Sequence, residues 1–364
     1  MHVMEITSSL RNYSVDFPQS PDFFSRLLSR FPNHFTIIDE NVWRLYGGTL
    51  LSAVDLERAA VLPVEEERKS LESVLLLYDR LVRQTAKRNI TVISVGGGIL
   101  QDISGFAAST IYRGVNWVYV PTTLLAQADS CIGGKTSLNY GPYKNLIGTF
   151  YPPAEVLVHT AFLQTLQDLD FYSGLGEVVK LAIIGGDEAT GEMVRLLPRM
   201  LERQERALHQ GVHRSLLIKS RYITEDEFDS GIRNFLNYGH CFGHALESTT
   251  EFAVPHGQAI VIGMLLANIV GRRRNLLSSD LFDFLTQKLI LPSIKVRLRP
   301  EQMAVGPVVG AMKQDKKRTG KDLPLVMLMD AFKMAKVDDL KESEAAEALA
   351  EGMDILGSAG GVTT

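Results

Sequence analysis

The chain has 364 residues, 45% hydrophobic and 22% charged, enough for two domains with buried cores. Lys+Arg 38 against Asp+Glu 42 leaves a formal charge of -4, which excludes a basic nucleic-acid-binding protein and an acidic tail. Two cysteines, Cys131 and Cys241, are too few for a disulfide framework and point to a reducing compartment. The stretch Met1-His-Val-Met-Glu-Ile lacks the basic-then-apolar pattern of a signal peptide. The longest uncharged apolar run, Ala259 to Gly271, is too short to span a bilayer, so the expected location is the cytoplasm.

In chain order, Phe35-Thr-Ile-Ile38 reads as a first strand ending at Asp39, with Asn41 beside it. Glu66 and Lys69 open a helical stretch that runs from Leu71 to Ala86. Ile90 to Val95 is a buried strand that runs into Gly96-Gly97-Gly98, and Ile99-Leu-Gln-Asp102 begins the next helix. Trp117-Val-Tyr-Val120 is another strand, ending at Pro121-Thr122-Thr123. Strands alternating with helices imply a parallel sheet. After Glu155-Val-Leu-Val158 the strand signals fade, and from Thr165 helix follows helix. The expected architecture is an α/β domain over residues 1–153, a mostly α-helical domain over 154–356 and a disordered tail at 357–364, with Pro152-Pro153 as the boundary.

Glycines after a buried strand let the backbone approach a phosphate, whose charge the helix N-terminus meets. The triplet does not have G-x-G-x-x-G spacing, and a bare structural turn is the alternative. Asp39, Asn41, Glu66 and Lys69 suit a ribose or adenine, although each taken singly is an ordinary surface residue. Gln127 to Thr136 resembles the end of a P-loop, but Asp129 stands where the first glycine belongs, so nucleotide hydrolysis is excluded. What remains is Asp129, Lys135 and Lys144-Asn145 on loops rich in Gly, Pro and Tyr, which suit an anionic substrate.

Glu177 and Lys180 lie one helical turn apart between Gly174-Leu-Gly176 and Leu181-Ala-Ile-Ile184. Apolar flanks argue for burial, and a buried carboxylate needs a cation, a metal being one candidate. A surface ion pair is the alternative. If residues 233–247 are helical, Arg233, Asn237, His240, His244 and Glu247 recur at steps of four, three, four and three. They then share one face, while Phe235, Leu236, Phe242 and Leu246 cover others. A face of this chemistry is either solvated or turned toward a metal or an anionic substrate. His256, in Pro255-His256-Gly257, opens a long apolar helix. With Glu177 and His240 it would complete a two-histidine, one-carboxylate set with open coordination positions. Taken alone it reads as a helix-start histidine. No H-E-x-x-H is present, which excludes an ordinary metalloprotease.

Taken together, these motifs resemble the 3-dehydroquinate synthase family, within the wider sugar phosphate cyclases, from about Ile37 to Met327. They include Asp39-Glu-Asn41, Glu66-Glu-Arg-Lys69, Gly96-Gly-Gly-Ile-Leu-Gln-Asp102, Tyr112-Arg113-Gly, Pro121 to Asp129, Gly133-Gly-Lys135-Thr, Lys144-Asn145, Gly176-Glu177-Val-Val-Lys180, the 233–247 segment, His256-Gly and Asp315-Lys316-Lys317. The resemblance implies a Rossmann-like N-terminal domain, a helical C-terminal domain and an active site in the interdomain cleft. It implies a divalent metal, zinc with cobalt as the alternative, on Glu177, His240 and His256. NAD would lie against Asp39, Asn41, Glu66, Lys69, Gly97, Gly98, Ile99, Asp102, Thr122, Thr123, Lys135, Lys144 and Thr165. Catalytic contacts to a seven-carbon keto-acid phosphate would come from Asp129, Lys135, Lys180, Lys219, Arg233, Asn237 and His244. Lys144, Asn145 and one of Lys316 and Lys317 would bind substrate. Arg113 would reach the phosphate from a neighbouring subunit, so a homodimer is implied.

The implied reaction is a lyase step of the shikimate pathway. A hydride leaves C5 for NAD, phosphate leaves C7 as the acidified C6 loses its proton, the hydride returns, and an aldol closes the carbocycle. Relatives that make 2-deoxy-scyllo-inosose or 2-epi-5-epi-valiolone use substrates without a carboxylate. Lys219 and Arg233 are both cations here and Asn237 is kept, which favours the acid substrate. The chain departs from the family pattern at Gln101 (often Gly), His159 (Asp), Gln167 (Pro), Cys241 (Thr) and Gln258 (Glu). Two other classes make distinct expectations. An iron-containing alcohol dehydrogenase would accumulate NADH, and a silent binding homologue would have lost a ligand or a lysine.

Overall fold

The computed structural model describes residues 3–84, 87–141, 143–314 and 323–358. The chain divides into two units, Met1–Thr165 and Leu166–Thr364. In the first, β1 (Val3–Ile6), β2 (Tyr13–Asp16), α1 (Phe23–Arg30), β3 (His34–Asp39), α2 (Glu40–Tyr46), β4 (Ala59–Leu62), α3 (Leu71–Arg83), β5 (Thr91–Gly96), α4 (Gly98–Thr110) and β6 (Asn116–Pro121) follow in order. A hairpin of β7 (Lys135–Tyr140) and β8 (Tyr143–Phe150) comes next, then β9 (Glu155–Leu157). Seven strands form one sheet in the order β1-β2-β9-β6-β5-β3-β4. Every neighbouring pair is parallel except β1 with β2.

β5 is buried at every position, as a strand with helices on both faces must be. Phe23, Phe24 and Leu27 of α1 pack on Ile38, Ile93, Val95, Val118, Val120 and Leu157, which forms the apolar core beneath one face. Two features differ from the sequence-based expectation. Two short strands precede the one expected to be first. Lys135, Lys144 and Asn145 lie on an antiparallel hairpin rather than on loops. Its ladder pairs Lys135 with Phe150 and Tyr140 with Tyr143, and Gly141 turns the chain at φ +57°. Strand pairing is a contact between distant residues, so turn-rich composition conceals it.

The second unit carries α5 (Asp168–Ile184), α6 (Asp187–Leu201), α7 (Glu205–Glu225), α8 (His240–Thr249), α9 (His256–Arg273), α10 (Ser279–Leu285), α11 (Val305–Lys313), the antiparallel pair β10 (Leu323–Met329) and β11 (Lys333–Leu340), and α12 (Glu342–Ser358). The β10–β11 pair is a strand element that helical periodicity did not announce. α9 is buried from Gly257 through Gly271, because it is apolar on all sides and α5, α8, α12 and β10 surround it. Among the described residues, no helix is long and apolar enough to cross a membrane. Gly357 and Ser358 finish α12, and residues 359–364, assigned to the tail, lie outside the described residues.

Gln258 is held by its surroundings as an amide rather than a carboxylate. Its side-chain nitrogen donates to the Tyr172 and Ser293 carbonyls, each at 2.9 Å. Its oxygen accepts from the backbone N–H of Lys295 at 2.6 Å and Val296 at 3.2 Å. A carboxylate could serve the second pair but would set an oxygen against two carbonyl oxygens. Gln258→Glu is therefore expected to lower the free energy of urea unfolding at pH 7 by about 3 kcal/mol. Gln101 is engaged in a similar way. Its nitrogen donates to the Ser130 carbonyl, and the Ser130 hydroxyl donates back to its oxygen, both at 2.7 Å.

Candidate functional site

In the second unit, glycine contacts between helices bring three imidazoles and a carboxylate together. A Cβ added at Gly257 would lie 1.7 Å from the Ser173 carbonyl oxygen, and one at Gly176 would lie 2.2 Å from the Gly257 carbonyl oxygen. Only glycine permits that approach of α5 to α9. Glu177 and His256 adjoin these glycines, and His256 Nε2 lies 3.4 Å from Glu177 Oε1. α8 meets α9 in the same manner, since a Cβ at Gly263 would lie 2.0 Å from the Gly239 carbonyl oxygen. His240 follows Gly239, and its ring centroid is 5.4 Å from that of His256. One ligand atom from each of Glu177, His240 and His256 lies within 4.8 Å of the others. His244 is near too, with ring centroids 5.1 Å from His240 and 5.9 Å from His256.

The 233–247 segment is not one helix. Ile232–Asn237 is a 3-10 turn, Gly239 is left-handed at φ 81°, and α8 starts at His240. Tyr238 is fully buried at the break, and its hydroxyl donates to Asn268 Oδ1 at 2.5 Å. Only His240, His244 and Glu247 share a helical face, while Arg233 and Asn237 come from the turn.

The charges around this cluster fit a divalent cation. Both Glu177 oxygens are buried without a hydrogen-bond partner, although the Lys180 ammonium stands at ion-pair distance. A buried carboxylate calls for positive charge beside it, which Lys180 supplies in part and a metal ion would complete. His240 Nδ1 donates to the Tyr238 carbonyl at 3.2 Å, which leaves the Nε2 lone pair for a ligand. Burial, then the Lys180 charge and the adjacent imidazoles, hold His240 well below the ordinary histidine pKa. Burial also works against a charged His256, but the Glu177 and Glu247 carboxylates beside it outweigh it and push that ring up to about 10. Two carboxylates thus favour a proton on His256, which a bound metal ion would displace. Two imidazoles and one carboxylate form a donor set suited to zinc.

Lys180 on α5, Lys219 on α7 and Arg233 on the turn are all buried. The turn is organised by Asp226, whose carboxylate accepts from the backbone N–H of Ser230 at 2.9 Å, Gly231 at 2.7 Å and Arg233 at 3.0 Å. Partial burial raises its pKa, but these bonds prevail and hold it at about 2. Asp226→Ala is expected to lower stability at pH 7 by about 1 kcal/mol, allowing for its contact with solvent. The folded pKa is depressed below the ordinary 3.8, so the contribution is complete above that pH and is lost as pH falls through about 2. Urea unfolding of wild type and variant should therefore converge over that window.

In the first unit the sequence-predicted nucleotide residues gather at the carboxyl ends of parallel strands. The sheet order changes direction between β3 and β5, the usual place for a ligand crevice. Asp39 ends β3, Gly97 and Gly98 follow β5 with Ile99 in the first turn of α4, and Thr122 and Thr123 follow β6. Gly96 and Asp39 approach so closely that an added Cβ on the glycine would lie 3.3 Å from Asp39 Cβ. Asp39 caps α2 by accepting from the Asn41 N–H at 2.8 Å. Thr165 shares a 2.8 Å hydrogen bond with the Tyr46 hydroxyl.

A polar network lies beside this crevice. Lys69 Nζ is 2.5 Å from Asp102 Oδ2 and 2.6 Å from Asn145 Oδ1. Lys144 Nζ is 3.6 Å from Glu66 Oε1. Asn145 is held at φ 52°, a left-handed conformation that asparagine adopts more readily than most residues other than glycine. Sequence reasoning missed two members. Ser137 donates to Asp102 through both its N–H and its hydroxyl at 3.0 Å, and Asn139 donates to Glu66 Oε1 at 2.9 Å. Both share a face of β7 with Lys135, so period-two spacing was the available signal. Asp129 sits on a π-turn, Ala126–Ser130, and Lys135 is exposed at the start of β7. Arg113 is exposed and left-handed at φ 64°, next to Tyr112 at φ 52°. Lys316 and Lys317 lie outside the described residues.

Residues 59–173 match the 3-dehydroquinate synthase N-terminal family, and residues 174–318 match the 3-dehydroquinate synthase C-terminal family. A 3-dehydroquinate synthase from Dehalococcoides mccartyi is 35% identical over 297 residues, 80% of this chain and 82% of the relative. Another, from Dictyoglomus turgidum, is 34% identical over 355 residues, 96% and 99% of the two chains. Among solved structures, a 2-epi-5-epi-valiolone synthase from Streptomyces hygroscopicus with NAD+ and Zn2+ bound superposes with a TM-score of 0.82 at 25% identity, over 96% of this chain and 99% of that one. An iron-containing alcohol dehydrogenase gives a TM-score of 0.63 at 14% identity, over 94% of this chain and 97% of that one, a likeness of fold alone.

Proposed function

Because this chain belongs to the 3-dehydroquinate synthase family, we propose that it converts 3-deoxy-D-arabino-heptulosonate 7-phosphate to 3-dehydroquinate and inorganic phosphate. Charge carries the choice of substrate. Among the described residues of the second unit, Lys180, Lys219 and Arg233 are buried cations, and Glu177 and Glu247 are the buried carboxylates. Adding a divalent ion leaves three positive charges in excess. A phosphate and a carboxylate on one substrate bring nearly that many negative charges. A sugar phosphate would bring no carboxylate to meet these cations.

Glu177, His240 and His256 would hold zinc, and the residues at the ends of β3, β5 and β6 would hold NAD. When bound, NAD supplies reversible hydride removal, and the metal supplies a Lewis acid for the oxygen at the same carbon. The protein's own groups bind and orient the substrate. Lys219, Arg233 and Asn237 take the carboxylate end. Lys144, Asn145 and Arg113 of a second copy take the phosphate, and the strained backbone at Tyr112–Arg113 supports a role for that arginine. Lys180, held at Glu177, and His244, edge-on to His240, exchange a proton with the hydroxyl that is oxidised.

The test supplies NAD, zinc and the acid phosphate, and in parallel sedoheptulose 7-phosphate. Phosphate release and carbocycle formation are followed together with absorbance at the NADH band. Turnover of the acid without net NADH is the expected result. Turnover of the sugar alone would overturn the substrate assignment, and steady NADH build-up would make the protein a dehydrogenase.

A further inference from the structure

Each histidine proposed as a ligand has two ring nitrogens, and something must choose which one faces the metal. For His240 the Tyr238 carbonyl makes that choice. For His256 a side chain from another helix makes it. Glu247 Oε2 lies 3.0 Å from His256 Nδ1, while His256 Nε2 points to Glu177 Oε1 at 3.4 Å. Glu247 is itself buried, 8% exposed, and stands on the same face of α8 as His240 and His244. We infer that Glu247 is the positioning residue of His256, holding the proton on Nδ1 and the ring angle that presents Nε2 to the ion.

The chemistry requires an acceptor at that place. A neutral imidazole carries one proton, and it binds a metal through the nitrogen that lacks it. A carboxylate on Nδ1 locks that tautomer and makes Nε2 more basic. The two rings are then oriented from opposite sources, one by the backbone of the turn before α8 and one by a carboxylate in the last turns of that helix. A competing role is open to the same side chain, since His244, Glu247 and His256 also bring ligand atoms within 4.8 Å of one another. For Glu247 to be a ligand in such a trio, His256 would have to turn its Nδ1 to the ion and abandon the approach of Nε2 to Glu177.

The inference rests on the metal site proposed above, and the experiment separates the two. Zinc affinity is measured on metal-stripped protein by competition with a chromogenic chelator, for wild type, Glu247→Ala, Glu247→Gln and His240→Ala. Visible spectra are recorded at saturating cobalt. Glu247→Ala is expected to weaken zinc binding by about 10–100-fold. Glu247→Gln, whose amide oxygen still accepts from Nδ1, should fall between Glu247→Ala and wild type. The cobalt bands should keep their position and intensity in both, because the ligand set is unchanged. Shifted bands, with Glu247→Gln as weak as Glu247→Ala, would make Glu247 a ligand and overturn the inference. Unchanged zinc affinity with a lowered melting temperature would reduce Glu247 to a packing residue and overturn it as well. If wild type and His240→Ala bind zinc equally, the metal site itself is wrong.

Discussion

Glu177→Gln is expected to lower kcat/KM for phosphate release by about 10³-fold or more, with zinc affinity falling in step. The replacement keeps the shape of the side chain and removes its charge. Glu177 is the only carboxylate in the trio of Glu177, His240 and His256, and both of its oxygens are buried without a hydrogen-bond partner. The loss of the metal's charge stabilisation, several kcal/mol, sets the size of the effect, since each tenfold in rate corresponds to about 1.36 kcal/mol. The same substitution takes from buried Lys180 the carboxylate at its side. Breaking a buried pair costs about 3–5 kcal/mol, so metal-stripped Glu177→Gln should also unfold at lower urea than metal-stripped wild type. Activity within tenfold of wild type, measured with saturating zinc, would show that Glu177 does not hold the catalytic ion.

Gly257→Ala should cost about 3 kcal/mol of stability or more, and should weaken zinc binding although no ligand is changed. The added methyl would lie 1.7 Å from the Ser173 carbonyl oxygen, and a backbone atom cannot swing aside as a side chain does. α5 and α9 must part, and the 3.0 Å bond from the Gly257 N–H to the Ser173 hydroxyl goes with them. Because Glu177 follows Gly176 and His256 precedes Gly257, separating the helices pulls two ligands from each other. Gly310→Ala is the control. It lies inside α11 with nothing within 4 Å of the added carbon, and should stabilise by about 0.5–1 kcal/mol through lower chain entropy in the unfolded state. Calorimetry and zinc competition on both variants decide the matter. Equal stability of Gly257→Ala and wild type would mean that the helix contact is looser than the structure has it.

The candidate nucleotide residues at the strand ends were readable because their signals are local. Asp39, the glycine triplet and Thr122-Thr123 each sit where a buried apolar run stops, and a strand that ends in a turn before a helix leaves its mark on consecutive residues. Lys135, Lys144 and Asn145 were recognised by type but placed on loops. The hairpin that carries them is held by pairing across the turn, from Lys135↔Phe150 to Tyr140↔Tyr143, and no short window contains both strands. Ser137 and Asn139 went unnoticed for the same reason, although they bond Asp102 and Glu66 directly. Spacing alone carried Arg233 through Glu247 as one helix. Gly239 breaks it, left-handed at φ 81° and so close to α9 that an added Cβ would lie 2.6 Å from the Ile260 carbonyl oxygen.

Residue identity and short-range periodicity determined an α/β half followed by a helical half, and named candidate groups in each. They offered glycine turns in the first, and two imidazoles, a carboxylate and several cations in the second. Folding alone settled which of those groups meet. Glu177 and His256 lie on different helices, and only a crossing that admits no side chain at Gly176 and Gly257 brings Nε2 within 3.4 Å of the carboxylate. The orientation of that ring, fixed by Glu247 at 3.0 Å, is likewise a matter of packing. Helix contacts depend on shape summed over many distant residues, and a linear pattern records the candidates for such a contact without recording the contact.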